Sequence, residues 1–137
     1  MEDHNEDSNH VIAILAILFL FNYDNGVAQE LGTKVYWMVT VEVPIGKLAE
    51  YHAFNAKEMA PLMEQHGYNF VATWQTIVGD IEEVISVSEF ESMAAYHKAR
   101  VSLLGSEEWK TAGKKFDGMV RSTTTRFLSP APYSKLK

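Results

Sequence analysis

The 137-residue sequence has no cysteine, which removes disulfides and thiolate metal centres from consideration. Long apolar runs are missing too. The longest, Val11 to Phe21, holds 11 residues, about half of the roughly 20 that a membrane-spanning helix needs. Lys and Arg are absent from the first thirty positions, where six acids stand (Glu2, Asp3, Glu6, Asp7, Asp24 and Glu30), and the rest of the chain balances twelve acids against twelve basic residues. A neutral body carries no concentrated basic face for a phosphate backbone, which argues against nucleic-acid binding. No glycine-rich phosphate loop, nucleophile elbow or HExxH pair occurs, and the five histidines lack a ligand-spaced carboxylate cluster, so no metal site is expected.

What is present describes a folded domain. A composition 47% hydrophobic, 22% charged and 12% aromatic is that of a globular protein, and the length suits one core. The 11-residue apolar run has the length of a signal-peptide core. It is followed by Gly26-Val27-Ala28, with small residues where a signal peptidase requires them. The acidic start departs from the usual basic one. Residues 1–30 are therefore expected to be an N-terminal segment with an export signal, cleaved near Ala28 to leave a periplasmic or secreted protein. The alternative is a cytoplasmic protein in which the run packs on the domain. Residues 31–137 form that domain.

Along the body, Lys34 to Val43 alternates as a strand, and Pro44 ends its ladder. From Ile45 to His66 the period changes to that of a helix, with Leu48, Tyr51, His52, Asn55, Met59, Leu62, Met63 and His66 on one face. Pro61 predicts a kink, and Gly67 a left-handed cap. Tyr68 to Val78 and Ile81 to Val87 read as a hairpin turning at Gly79-Asp80. Either Ser88, in a capping box with Glu91, or Ser92 starts the next helix, whose apolar face is expected to be Phe90, Met93, Ala94, His97, Val101 and Leu104. After Gly105-Ser106 a second piece begins at Glu107, and Ser122 to Leu128 is a closing strand.

The order β-α-β-β-α-β is the ferredoxin-like split arrangement: an α+β fold with a four-stranded antiparallel sheet and the helices on one face. The other face also carries apolar groups, so dimerisation is expected. Gly67-Tyr68 before Trp74, Gly79-Asp80 before Glu83-Val84, then Glu89-Phe90-Glu91-Ser92, Glu108-Trp109 and Leu128-Ser129-Pro130 together resemble the NIPSNAP family of the dimeric α/β-barrel superfamily. The resemblance covers residues 34 to 134 and implies two subunits with their sheets face to face. It departs at Ser86 and Ser88, where members often carry His and Trp, so no role of those larger side chains carries over. Related barrels include metal-free monooxygenases, haem-degrading enzymes, isomerases and ligand-binding proteins, and fold does not choose among them.

The expected pocket is the cleft between helices and sheet. His97, read as lying on the inner face of its helix, is a candidate base or haem ligand. Tyr51, His52 and Asn55 are candidates for orienting a polar group, and Trp37 and Trp74 for an aromatic wall. The leading expectation is a homodimer that binds a small apolar or aromatic ligand without a cofactor. The alternative is a cofactor-independent monooxygenase or haem-handling enzyme using His97. A module whose task is dimerisation is the third possibility.

Overall fold

The computed structural model describes residues 34–136, so the expected export signal and its cleavage point lie outside the described residues. Strand β1 (Val35–Glu42) alternates as its sequence predicts, and Pro44 ends it. A short turn of 3-10 helix then leads into α1 (Leu48–Phe54), a π-helical turn (Asn55–Met59) and α2 (Ala60–Gln65). The wide turn is the structure's answer to Pro61. The Ala60 amide donates to the Asn55 carbonyl five residues back, and Pro61, which has no amide to donate, falls in the first turn of α2 where none is needed. Gly67 follows with φ 94°, the left-handed cap expected there, and its Cα faces Ala99 closely enough that an added Cβ would lie 3.6 Å from that side chain.

Strands β2 (Asn69–Gln75) and β3 (Glu83–Phe90) form the hairpin, with Gly79 at φ 105° in its turn. β3 runs through Ser88 to Phe90, paired with Val35, so Ser88 sits inside the ladder and Ser92 is the helix cap. Its Oγ accepts the Ala95 amide at 3.2 Å. Helix α3 (Met93–Leu104), α4 (Glu107–Asp117), capped by Ser106, and β4 (Ser122–Leu128) complete the domain. The sheet order is β2-β3-β1-β4, all antiparallel, which is the split arrangement expected. Among the described residues no helix is long and apolar enough to cross a membrane.

One face of the sheet holds the core. Val39, Val41 and Val43 of β1 and its extension, with Val84 and Phe90 of β3, pack against Tyr51, Phe54, Met59, Leu62 and Met63 from the first helical layer and Ala99, Leu103 and Ala112 from the second. The opposite face, set by the pairing of Met38 with Val87 and of Thr40 with Ile85, has no helix over it among the described residues. Met38, Ile85 and Val87 are half-buried there, and Trp74 and Leu128 are exposed. At one end of this face Tyr36 and Lys34 both donate to Glu89, at 2.8 and 3.0 Å, which holds that carboxylate below its ordinary range.

Helix α3 turns a different side to the core from the one its sequence suggests. Ala99 and Leu103 are buried, with Ala95 and Tyr96 packed beside them, while Met93, His97, Val101 and Leu104 face outward. Apolar residues surround this helix, so two stripes compete. The small Ala95 and Ala99 permit close approach to the layer below, and Tyr96 joins a ring cluster with Trp37, Tyr68, Phe90 and Phe127.

Candidate functional site

A cleft of about 250 Å³ opens between the first helical layer and the hairpin strands. Its helical wall is Tyr51, His52, Asn55, Ala56, Ala60 and Glu64, and its sheet wall Phe70, Thr73 and Ser86. Tyr51 and Asn55 lie four residues apart across the junction of α1 with the π turn, and the Asn55 Nδ2 donates to the Tyr51 carbonyl at 3.0 Å. Such turns widen a helix and re-aim its side chains. Burial pushes the Tyr51 phenol up to about 12, against a smaller opposing effect of the nearby Asn55 side chain. It therefore stays protonated, and a donor, throughout the physiological range.

On the sheet side, Thr73 Oγ1 and Ser86 Oγ, directly paired across the strands, are 3.0 Å apart. His52 Nε2 lies 2.9 Å from Gln75 Oε1, and Gln75 Nε2 donates to the Ile81 carbonyl at 3.4 Å. The site thus combines an apolar centre with a few fixed polar groups, the usual composition of a small-molecule pocket. Its volume falls below the roughly 300–1,000 Å³ of drug-sized sites, which suits a ligand of one or two rings.

The structure brings Tyr51, His52 and Asn55 together, and places the other three sequence candidates elsewhere. Trp37 is on the helix side of the sheet but inside the ring cluster, edge-on to Tyr68 at 5.4 Å, and does not line the cleft. Trp74 faces the other side of the sheet and is 55% exposed. The cause is a bulge between Phe70 and Ala72: one extra residue reverses the alternation, so Thr73 and Gln75 join Phe70 on the cleft side and Trp74 is turned away. The two tryptophans therefore form no common wall. His97 stands on the outer side of α3, exposed beside Met93 and Val101, so the inward position expected of it is corrected by the packing of Ala99 and Leu103. His66 caps α2 and bonds to Ser102 of α3, its Nδ1 2.7 Å from the Ser102 Oγ.

Phe70, Thr73, Gln75 and Ser86 were not singled out from sequence as site residues. Strand alternation was the signal available, and the bulge inverted it for β2. Among the described residues no group of three or more His, Asp or Glu is placed to hold a metal ion.

With the cleft and sheet defined, comparison with known proteins is informative. The NIPSNAP family profile matches residues 36–135. The chain belongs to the NIPSNAP family. Among solved structures, a NIPSNAP family protein from Agrobacterium tumefaciens superposes with a TM-score of 0.72 at 19% identity, over 76% of this chain and 99% of that one. An uncharacterised NIPSNAP domain protein from Burkholderia xenovorans gives 0.69 at 17% identity, over 73% and 97%. SnoaB, a cofactor-independent oxygenase from Streptomyces nogalater, gives 0.57 at 12% identity, over 77% and 100%. At these identities the structural likeness concerns the fold alone. No curated protein matches the sequence.

In this NIPSNAP domain the two serines of β3 have different surroundings. Ser86 lines the cleft, whereas Ser88, 1% exposed, has a hydroxyl with no hydrogen-bond partner among the described residues. The Tyr68 hydroxyl is buried as well, but it has the Arg100 guanidinium near it. Removing an unsatisfied buried hydroxyl removes a desolvation cost, so Ser88→Ala is expected to leave the domain as stable as before or to stabilise it by about 1 kcal/mol. Urea denaturation checks this. A loss of stability would mean that the hydroxyl has a bound partner.

Proposed function

We propose that this NIPSNAP chain is the subunit of a homodimeric α/β barrel that binds a small apolar or aromatic molecule in the cleft between α1, the π turn and the hairpin strands. The observation that carries the reading is the convergence there of Tyr51, His52 and Asn55 with Phe70, Thr73 and Ser86. The uncovered sheet face supports the dimer, because Met38, Ile85, Val87, Trp74 and Leu128 form an apolar surface for a second copy. The segment ahead of the barrel is read, from its sequence, as an export signal removed after Ala28.

Ala56 is exposed at the cleft, so a large side chain there fills the site without entering the core. Ala56→Trp is expected to keep the melting temperature within a few degrees and to abolish the stabilisation by small aromatic compounds expected of the unmodified chain. Thermal-shift measurements over a compound panel check this. Equal shifts in both proteins would place binding elsewhere.

The likeness to SnoaB favours a second reading, cofactor-independent oxygenation. It has to find its base in the cleft, where His52 stands and His97 does not. His97, an exposed imidazole on the outer side of α3, lends this reading no support as a haem ligand.

A further inference from the structure

The hydrogen-bond chain from Ile81 through Gln75 to His52 defines what the cleft offers to an occupant. The Gln75 amide has one orientation that satisfies both its neighbours. Its Nε2 must face the Ile81 carbonyl, since the reverse would set two acceptor oxygens against each other. Its Oε1 therefore faces His52 and accepts the Nε2 hydrogen at 2.9 Å. In the neutral ring that leaves Nδ1 as the bare acceptor nitrogen, and Nδ1 has no partner among the described residues.

The Thr73 and Ser86 pair offers the opposite. Two hydroxyls that share one hydrogen bond use one of their two hydrogens between them, so one O–H remains to be donated. Thr73 is two residues from Gln75 on the same side of β2, roughly 7 Å along the strand. His52, Thr73 and Ser86 line the same cleft as Phe70 and Ala56, so an acceptor nitrogen and a donor hydroxyl are offered to one occupant. We propose that the ligand is a small hydroxyaryl carbonyl compound, its hydroxyl donating to His52 Nδ1 and its carbonyl accepting from the Thr73–Ser86 pair, with Gln75 the positioning residue that fixes the imidazole. This rests on the reading of the cleft as a small-molecule site.

Four probes separate the two claims on the full-length chain: para-hydroxyacetophenone, its methyl ether, para-ethylphenol and ethylbenzene. The ether loses the donor, ethylphenol the acceptor, and ethylbenzene both. The hydroxyketone is expected to bind roughly tenfold tighter than the ether and than ethylphenol, the effect of one hydrogen bond in a partly dry site. The NMR signal of isotopically labelled His52 Nδ1 should move with the hydroxyketone and not with the ether. Gln75→Leu, which can no longer hold the Nε2 hydrogen, should remove the preference for the phenol and with it the movement of the His52 Nδ1 signal. Thr73→Val combined with Ser86→Ala should remove the preference for the ketone. Equal binding of phenol and ether with an unmoved His52 signal would overturn the donor and acceptor assignment and leave the cleft as an apolar site. Failure of all four probes, or binding of them that Ala56→Trp does not block, would overturn the cleft reading and this inference with it.

Discussion

Val87→Asp is expected to give a monomeric mass in light scattering at micromolar concentration where the unmodified chain gives that of the proposed dimer. Val87 sits on the central strand β3, directly opposite Met38 of β1, on the face that no helix among the described residues covers. In a single subunit its side chain is only half-buried, so a carboxylate there can reach water and costs the fold little more than strand propensity, about 1 kcal/mol. Between two sheets packed face to face, the same carboxylate would be buried twice, once from each subunit, with Met38 and Ala72 as its direct neighbours in the sheet and Arg126, the cation of that row, beyond Met38 on β4. An unpaired buried charge costs several kcal/mol, enough to shift a micromolar dimer wholly to monomer. A monomeric mass for the unmodified protein would defeat the barrel assembly. A dimeric mass for the variant would place the interface elsewhere, with the exposed stripe of α3 next to be tested.

Leu103→Ala should be the most damaging single truncation of α3, while its neighbour Leu104→Ala should be nearly silent. Leu103 is 1% exposed within the core and Leu104 is 42% exposed. Deleting a buried leucine side chain loses its transfer free energy and leaves a cavity, for a total of about 3 kcal/mol. In a domain of this size that lowers the melting temperature by roughly 10 °C. An exposed leucine truncated on a helix changes stability by about 0.5 kcal/mol or less. The reverse order of effects would restore the stripe that sequence periodicity suggests for this helix, with His97 turned inward.

That pair of leucines shows where sequence and tertiary structure part. The alternation of Val35 to Val43, the left-handed cap at Gly67, the turn at Gly79, and the helix start at Glu107 were all legible, because each depends on a local preference acting over a few residues. Those features carry the β-α-β-β-α-β order, and the chain's motifs carry the family. The grouping of Tyr51, His52 and Asn55 on one helical side was legible for the same reason, since spacing alone sets it.

The remaining placements required the assembled fold. A helix apolar on every side carries no signal for which stripe is buried, and α3 is settled by which side chains let it approach Gly67 and the ring cluster. A bulge is one unpaired residue whose position depends on the partner strand, so the turning of Trp74 away from the cleft, and of Thr73 and Gln75 into it, could not be read from β2 by itself. The sequence by itself determined the elements, their order, the family and the helical half of the cleft, because these follow from periodicity and local conformation. Only the tertiary structure decided the sheet half of the cleft, the outward position of His97 and the hydrogen bond between Gln75 and His52, because these depend on contacts between residues distant in the chain.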